Sequence, residues 1–462
     1  MSQFGSLQDP PATFRLVGAR VVDPGSGTDE VGDLAVHDGR QVEVGDLPAA
    51  ALTIDGSGML VLPGLCDLHT HLRQPGGDGA ETIDSGTRAA ARGGYTTVCA
   101  MPNTDPPLDE PARVEWVLAR ARSAAARVRV IAAATRGRGG ESLTDLGALC
   151  ESGVVGVSDD GAAITDARLA RGLLAYLAPL GVPLFEHAEE ATLARGSLMR
   201  AGPTATRLGL AGWPPSAELT IVERDIALAA ETGARLHLTH LSTAASLDAV
   251  RGAKARGLPV TCDVTPHHLA MTDAWVAGDR SFAWDEPAGA GADPFVAPLD
   301  PALAYDGNCR VNPPLATLED ALALLDGVAD GTVDAIATDH APHPPEAKAV
   351  EFDRAAPGMI GLESALSIGM AAVASGRLTL ARLVEVMSTR PAALIGEERS
   401  LRPGAVADLV LLDPRAQLRL EPGSLVSRSA NTPLLGRDLP GVVRLTVAAG
   451  RITYRDEAIR LA

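Results

Sequence analysis

VLPGLCDLHTHLRQPG, residues 61–76, runs from an apolar stretch into a polar cluster holding His69, His71 and Arg73. Side chains two apart on a strand leave the same face, so His69 and His71 would project together. A short apolar run that stops at polar residues is the signature of one strand in a parallel sheet buried on both sides. The fold is decided by whether that unit recurs.

It recurs. YTTVCAMPN (95–103), VRVIAAAT (128–135), VVGVSDD (154–160), VPLFEHAEE (182–190), RLHLTHLS (235–242), PVTCDVTPHH (259–268) and TVDAIATDHAPH (332–343) read the same way, with helical segments such as ARVEWVLARARSAAA and ALALLDGVAD between them. Alternating strands and helices predict repeated βα units, and eight of them predict an α/β fold, a (β/α)8 TIM-like barrel. Seven of the eight end in Asp, His, Asn or Glu, and barrel chemistry sits at the C-terminal ends of the strands.

A barrel takes about 250 residues, and this chain has 462. Upstream, FRLVGARVV, DLAVHDG and ALTIDGSGMLVL are short β-like runs separated by turn residues; downstream, LRPGAVADLVLLDP and GVVRLTVAAGRITYRD return to strand character. Residues 1–60 and 400–462 are therefore expected to form one composite, β-sandwich-like domain beside a barrel of residues 61–399. Trp275–Asp306, rich in Gly, Pro and Asp, reads as an irregular insertion, a lid or a plain surface loop.

The formal net charge of -18 argues against nucleic acid, whose phosphates need clustered Lys and Arg. Cys66, Cys99, Cys150, Cys262 and Cys309 are scattered without CxxC spacing, which fits a reducing compartment. MSQFGSLQDPPATF lacks a basic start followed by an apolar run, and no segment offers the roughly 20 unbroken apolar residues of a membrane span. A cytoplasmic protein is expected.

His-x-His alone is a weak metal signal. Here His187, His240 and Asp339 end three further strands, so four imidazoles and a carboxylate converge on one rim, and zinc accepts such donors. Singly, His187 and His240 could be strand ends satisfied by backbone, and Asp339 a helix cap. Asp159 and Asp160 end the fourth strand; either could face the same mouth or simply form the Asp-Gly turn. Arg73, two residues past His71, shares its face and could clamp a carboxylate or make a rim ion pair. Asn103 reads equally as an Asx turn with Thr104. His267, His268 and His340 adjoin these positions without obvious donor geometry, His37 reads as a surface residue, and His237 lies an odd number of positions from His240 and so faces away from it.

Taken in order, PGLCDLHTHLRQPG, ETIDSGTRAAARGGYTTVCAMPNT, VSDDG, GVPLFEHAEE, HLTHLST, VTPHHL, RVNPPL, AIATDHAPH and the terminal SRSANTPLLG resemble dihydroorotases of the long bacterial type, in the amidohydrolase superfamily. The resemblance runs from about Gly18 to Tyr454, and only Trp275–Asp306 departs from it. It implies one or two zinc ions: His69, His71 and Asp339 on the first, His187 and His240 on the second, Asp160 bridging. It assigns Arg73, Asn103 and His343 to the substrate's carboxylate, and Asn312 to the ring or the same anion. Asp339 would also be the catalytic acid and base of reversible hydrolysis of L-dihydroorotate to N-carbamoyl-L-aspartate in pyrimidine biosynthesis.

Relatives such as hydantoinases bridge their metals with a carboxylated lysine on strand four, but the only lysines are Lys254 and Lys348. Hydantoinase or allantoinase specificity is the nearest rival. The resemblance also leaves open a silent scaffold for aspartate transcarbamoylase, association with that enzyme alongside activity, and a homo-oligomer.

Overall fold

A computed structural model describes residues 3–49, 51–285 and 300–459. Its strands in chain order are β1 (Phe14–Asp23), β2 (Thr28–His37), β3 (Arg40–Val42), β4 (Leu52–Asp55), β5 (Leu60–Pro63), β6 (Leu65–Thr70), β7 (Tyr95–Ala100), β8 (Arg127–Ala133), β9 (Gly156–Ser158), β10 (Leu184–Glu186), β11 (Met199–Arg200), β12 (Gly212–Trp213), β13 (Leu236–Leu238), β14 (Val260–Val264), β15 (Ala335–Ile336), β16 (Leu409–Arg419), β17 (Asp438–Ala448) and β18 (Arg451–Arg455).

Eight of these form a parallel sheet in the order β15-β14-β13-β10-β9-β8-β7-β6. Its ends meet through a parallel bridge between Thr70 and His340, with the His71 amide donating to His340 O at 2.9 Å, so the sheet closes into the expected barrel. Every residue of β6 and β7 is buried, as helices on the outer face and a filled interior require. Cys66, Leu68, Cys99, Ile131, Phe185 and Ala335 form an apolar cluster drawn from β6, β7, β8, β10 and β15.

Helices follow the strands where the sequence supplies caps. Thr82 caps Ile83–Arg92 through a capping box with Ser85, and Asp166, Thr243 and Thr317 accept from backbone amides at the starts of Ala167–Leu180, Ala244–Ala255 and Leu318–Asp330. Gly181 and Gly331 end two of them in the left-handed conformation. No helix among the described residues is long and apolar enough to cross a membrane.

The terminal strands pair in the order β18-β17-β16-β5-β1-β2-β3, with β4 also on β1. Leu60–Pro63 belongs to this sheet, in register with β16 from Leu409↔Pro63 to Leu412↔Leu60. The apolar run at Val61 is thus two strands, broken at Gly64, where a Cβ would lie 2.4 Å from the Thr96 side chain.

Of Trp275–Asp306, the residues 286–299 fall outside the described ones. The flanks are packed: Trp275 is buried and stacks on Phe282, and Tyr305 donates from its hydroxyl to Leu208 O at 2.9 Å.

Candidate metal centre and substrate clamp

The ends of β6, β9, β10, β13 and β15 deliver His69, His71, Asp160, His187, His240 and Asp339 to one buried spot. His69 Nε2 lies 3.3 Å from Asp160 Oδ1 and 3.5 Å from Asp339 Oδ1; His71 Nε2 lies 3.0 Å from Asp339 Oδ1 and 3.6 Å from Asp160 Oδ2. His187 Nδ1 and His240 Nε2 stand 3.7 and 3.6 Å from Asp160 Oδ1, and 3.0 Å from each other. Ligand atoms about 2.0–2.2 Å from a zinc ion are separated by comparable distances. The donors group as His69, His71 and Asp160, and as Asp160, His187 and His240, with Asp160 common to both.

Hydrogen bonding supports the fit to a cation. Nδ1 of the buried His69 and Nδ1 of His240 have no hydrogen-bond partner among the described residues, and His69 Nε2 faces the Asp160 and Asp339 carboxylates without a well-directed hydrogen bond. Buried polar atoms are rarely left so unless something else engages them. Burial opposes charge on His69 and His187, yet Asp160, with Asp339 beside His69 and Glu189 beside His187, lifts them to about 9 and about 10. Burial likewise opposes ionisation of Asp160 and Asp339, and the surrounding imidazoles hold both carboxyls below the usual range. The spot is built for positive charge.

Three of these site residues carry positive φ without being glycine: Arg73 (59°), His240 (38°) and Asp339 (45°). Such backbone costs on the order of 1–3 kcal/mol each and persists only where neighbours enforce it. At His240 the enforcer is Asp263, whose Oδ1 accepts the His240 amide at 2.6 Å while Oδ2 faces His237 Nε2 at 2.9 Å. His237, expected to face away, is a buried support of that carboxylate. Before Asp339, Thr338 donates from its amide (2.8 Å) and hydroxyl (2.5 Å) to Asp67, which also takes the Thr70 hydroxyl at 2.7 Å.

Among the residues expected to hold substrate, Arg73 and His343 come together. Arg73 donates from Nε to Pro342 O at 3.1 Å, and its Nη2 lies 3.4 Å from His343 Nε2. Burial and the Arg73 charge push His343 down to about 3, so its ring is neutral and Nε2–H donates to Pro357 O at 2.9 Å. Asn103 is set against the cluster: its Oδ1 is 2.8 Å from His71 Nδ1 and its Nδ2 donates to Asp160 Oδ2 at 3.1 Å. Asn312 donates to Glu189 Oε2 at 2.9 Å and reaches His187 Nε2 at 3.4 Å.

Asp159 is turned from the cluster; its carboxylate accepts the Thr135 amide at 2.9 Å and the Thr135 hydroxyl. Neither lysine stands at the end of β9. Lys254 Nζ is held by Asp334 and Thr332 O, and Lys348 Nζ by the carbonyls of Arg310, Ala356 and Gly358. His268 is tied to Thr265 and Pro313 O, and His340 to Glu81, whereas the buried His267 Nε2 has no partner among the described residues and feels Asp339, His240 and His69. Sequence reasoning missed Glu81 and Asp263, because nothing local marks a carboxylate whose partner is dozens of residues away, and Glu189, two residues past His187, because the next glutamate in EHAEE reads the same.

Residues 58–246 match the family model described as Dihydro-orotase-like. A protein of Anaeromyxobacter dehalogenans (strain 2CP-C) named Dihydroorotase is 45% identical over 446 residues, covering 96% of this chain and 98% of that protein. One of the same name from Geobacter metallireducens is 41% identical over 445 residues, covering 95% and 99%. Among solved structures, the L-hydantoinase of Arthrobacter aurescens superposes with a TM-score of 0.80 at 23% identity, covering 97% of each chain. The D-hydantoinase of a Thermus species gives 0.77 at 21%, again over 97% of each. At such identities the solved structures speak for the barrel with its terminal sheet, and the sequence relatives speak for the family. The chain belongs to the dihydroorotase family of cyclic-amide hydrolases.

Proposed function

We propose that this chain is a zinc-dependent dihydroorotase of the cytoplasm, which hydrolyses the ring amide of L-dihydroorotate to N-carbamoyl-L-aspartate and closes the ring in the direction of pyrimidine synthesis. The observation that carries this reading is the Arg73 guanidinium, directed by Pro342 O and set against His343, beside a buried cluster whose shared ligand at the end of β9 is aspartate. A planar guanidinium suits a carboxylate, and the carboxylate separates dihydroorotate from hydantoin and allantoin.

His69, His71 and Asp339 would hold one ion, His187 and His240 a second, and Asp160 both. Zinc held by these residues would supply an acidified water and a Lewis acid for the amide carbonyl. The chain's residues supply the rest. Arg73 anchors the carboxylate and fixes the ring's orientation, with Asn103 and with His343, whose Nε2–H is shared between Pro357 O and the anion, while Asn312, next to His187, takes the ring or the same anion. Asp339 takes a proton from the attacking water and returns it to the departing ring nitrogen. The terminal strands, as a composite domain, brace the barrel that carries these groups.

Metal analysis of the purified protein, paired with hydrolysis assays on dihydroorotate, hydantoin and allantoin, tests the reading. Zinc with a clear preference for dihydroorotate is expected; preference for hydantoin or allantoin overturns it, and no metal with no turnover returns the chain to a silent scaffold for aspartate transcarbamoylase. Asp339→Ala is expected to lower kcat by about 10²–10⁴-fold with the fold intact by circular dichroism. Retained turnover would remove Asp339 from proton transfer.

A further inference from the structure

SRSANTPLLG, residues 427–436, lies at the far end of the sequence from the first barrel strand, yet it crosses the mouth of the barrel. Ser427 donates from its hydroxyl to Glu81, and Ser429 to Ala80 O at 2.8 Å, so its first half is tied to the loop after β6. Its second half is tied to the loop after β15 by one side chain, Asn431. The Asn431 Oδ1 accepts the His343 amide at 3.1 Å, and Nδ2 donates to Ala341 O at 3.0 Å and Gly358 O at 3.1 Å. The Asn431 carbonyl accepts the Ile360 amide at 3.0 Å.

These contacts leave the amide no freedom. Oδ1 faces a donor and both Nδ2 hydrogens face acceptors, so a flip would put like against like, and the side chain is 4% exposed. What it fixes is the peptide 341–343, held at both ends. The carbonyl in the middle, Pro342 O, receives Arg73 Nε; the residue at the end, His343, carries the ring beside the Arg73 guanidinium. Gly358 closes the arrangement from the other side, at φ +133°, where a Cβ would meet Ala341 Cβ at 2.7 Å and His343 Nε2 at 3.0 Å. Asn431 bridges the same close approach.

We propose that Asn431 is a positioning residue for substrate selection: through the 341–343 peptide it sets Arg73 and His343 at the spacing that grips a carboxylate on the ring. The hydrogen bonds of Asn431 run to His343, Ala341, Gly358 and Ile360, and to none of the six clustered ligands. Its loss should therefore weaken the hold on a carboxylate-bearing substrate and leave the reacting centre loaded and competent. The inference rests on the reading of the reaction given above, so its test needs one measurement that does not.

Asn431→Ala removes all three side-chain bonds, and the isosteric Asn431→Asp sets a carboxylate against two carbonyls. In both, KM for dihydroorotate is expected to rise about tenfold or more while kcat and bound metal stay within about threefold of wild type. Hydrogen exchange of peptides covering 341–343, followed without substrate, is expected to quicken. Unchanged KM, or a rise in KM accompanied by a fall in kcat and metal content, would overturn the proposal, since the second pattern is general loosening of the mouth. Wild-type protein with no dihydroorotate turnover would overturn the reading of the reaction; exchange then still decides the tether, and unchanged exchange in Asn431→Ala sinks it.

Discussion

At His71, the nitrogen left for a cation is set by Asn103. An amide oxygen accepts and does not donate, so Asn103 Oδ1 at 2.8 Å requires the proton on His71 Nδ1 and leaves the Nε2 lone pair facing Asp339 and Asp160. The same amide donates to Asp160, so one side chain orients two donors. Partners of this kind typically contribute 10- to 100-fold to metal affinity. Asn103→Ala is accordingly expected to lose metal to a chelator at roughly 10- to 100-fold lower concentration than wild type, measured by competition with a chromogenic indicator; metal retention equal to wild type would leave Asn103 to the substrate alone. The two histidines were legible because a spacing of two on a strand fixes a shared face. This use of Asn103 was not, because it depends on where β7 ends relative to β6, which one strand's sequence does not record.

The elements show the same division. The barrel strands were legible as apolar runs ending in polar residues, but their lengths were not: β15 is two residues long, although TVDAIATDHAPH reads as a longer strand. The physical reason is Asp67. Past Ile336 the chain leaves the regular ladder, and the buried Asp67 carboxylate accepts the Thr338 amide and hydroxyl where a neighbouring strand's backbone would otherwise pair. It also takes the Thr70 hydroxyl and the His69 amide at 3.3 Å, so a single side chain joins the first and last barrel strands at the point where each begins to present ligands. Burial pushes this carboxyl up, and hydrogen bonds oppose the rise. Asp67→Ala would leave several buried donors unsatisfied, at about 1–3 kcal/mol for each. A loss on the order of 3 kcal/mol in urea unfolding is expected, together with loss of bound metal. A variant as stable as wild type with its metal retained would show that the strands close without this carboxylate.

Across the whole molecule, the barrel must be joined to a sheet built from both ends of the chain, and residues 397–408 make the join between the last barrel helix and β16. Glu397 accepts Arg129 Nε at 2.6 Å, Arg399 Nη2 at 2.6 Å and the Thr97 hydroxyl at 3.2 Å, while Arg127 donates to Asp408 at 2.7 Å. The segment is thereby bolted to β7 and β8. A charge-rich stretch reads in sequence as solvated surface; only the fold reveals that Arg399 is buried and that three guanidiniums share one carboxylate. Burial alone would raise the Glu397 carboxyl, but Arg399, Arg127 and Arg129 outweigh it and bring it down to about 2. An ordinary glutamate titrates near 4.3 in an unfolded chain, so the folded state binds its proton less readily. The stabilisation is then fully present above about pH 4.5 and is lost as pH falls through the folded value near 2. At neutral pH it amounts to something on the order of 3 kcal/mol. Glu397→Gln removes the charge at every pH and leaves the guanidiniums to repel one another. The variant is expected to unfold at lower urea concentration than wild type at pH 7, and the gap should narrow steadily between pH 4.5 and pH 3. Equal midpoints at pH 7, or a gap that widens on acidification, would show that this cluster does not carry the join.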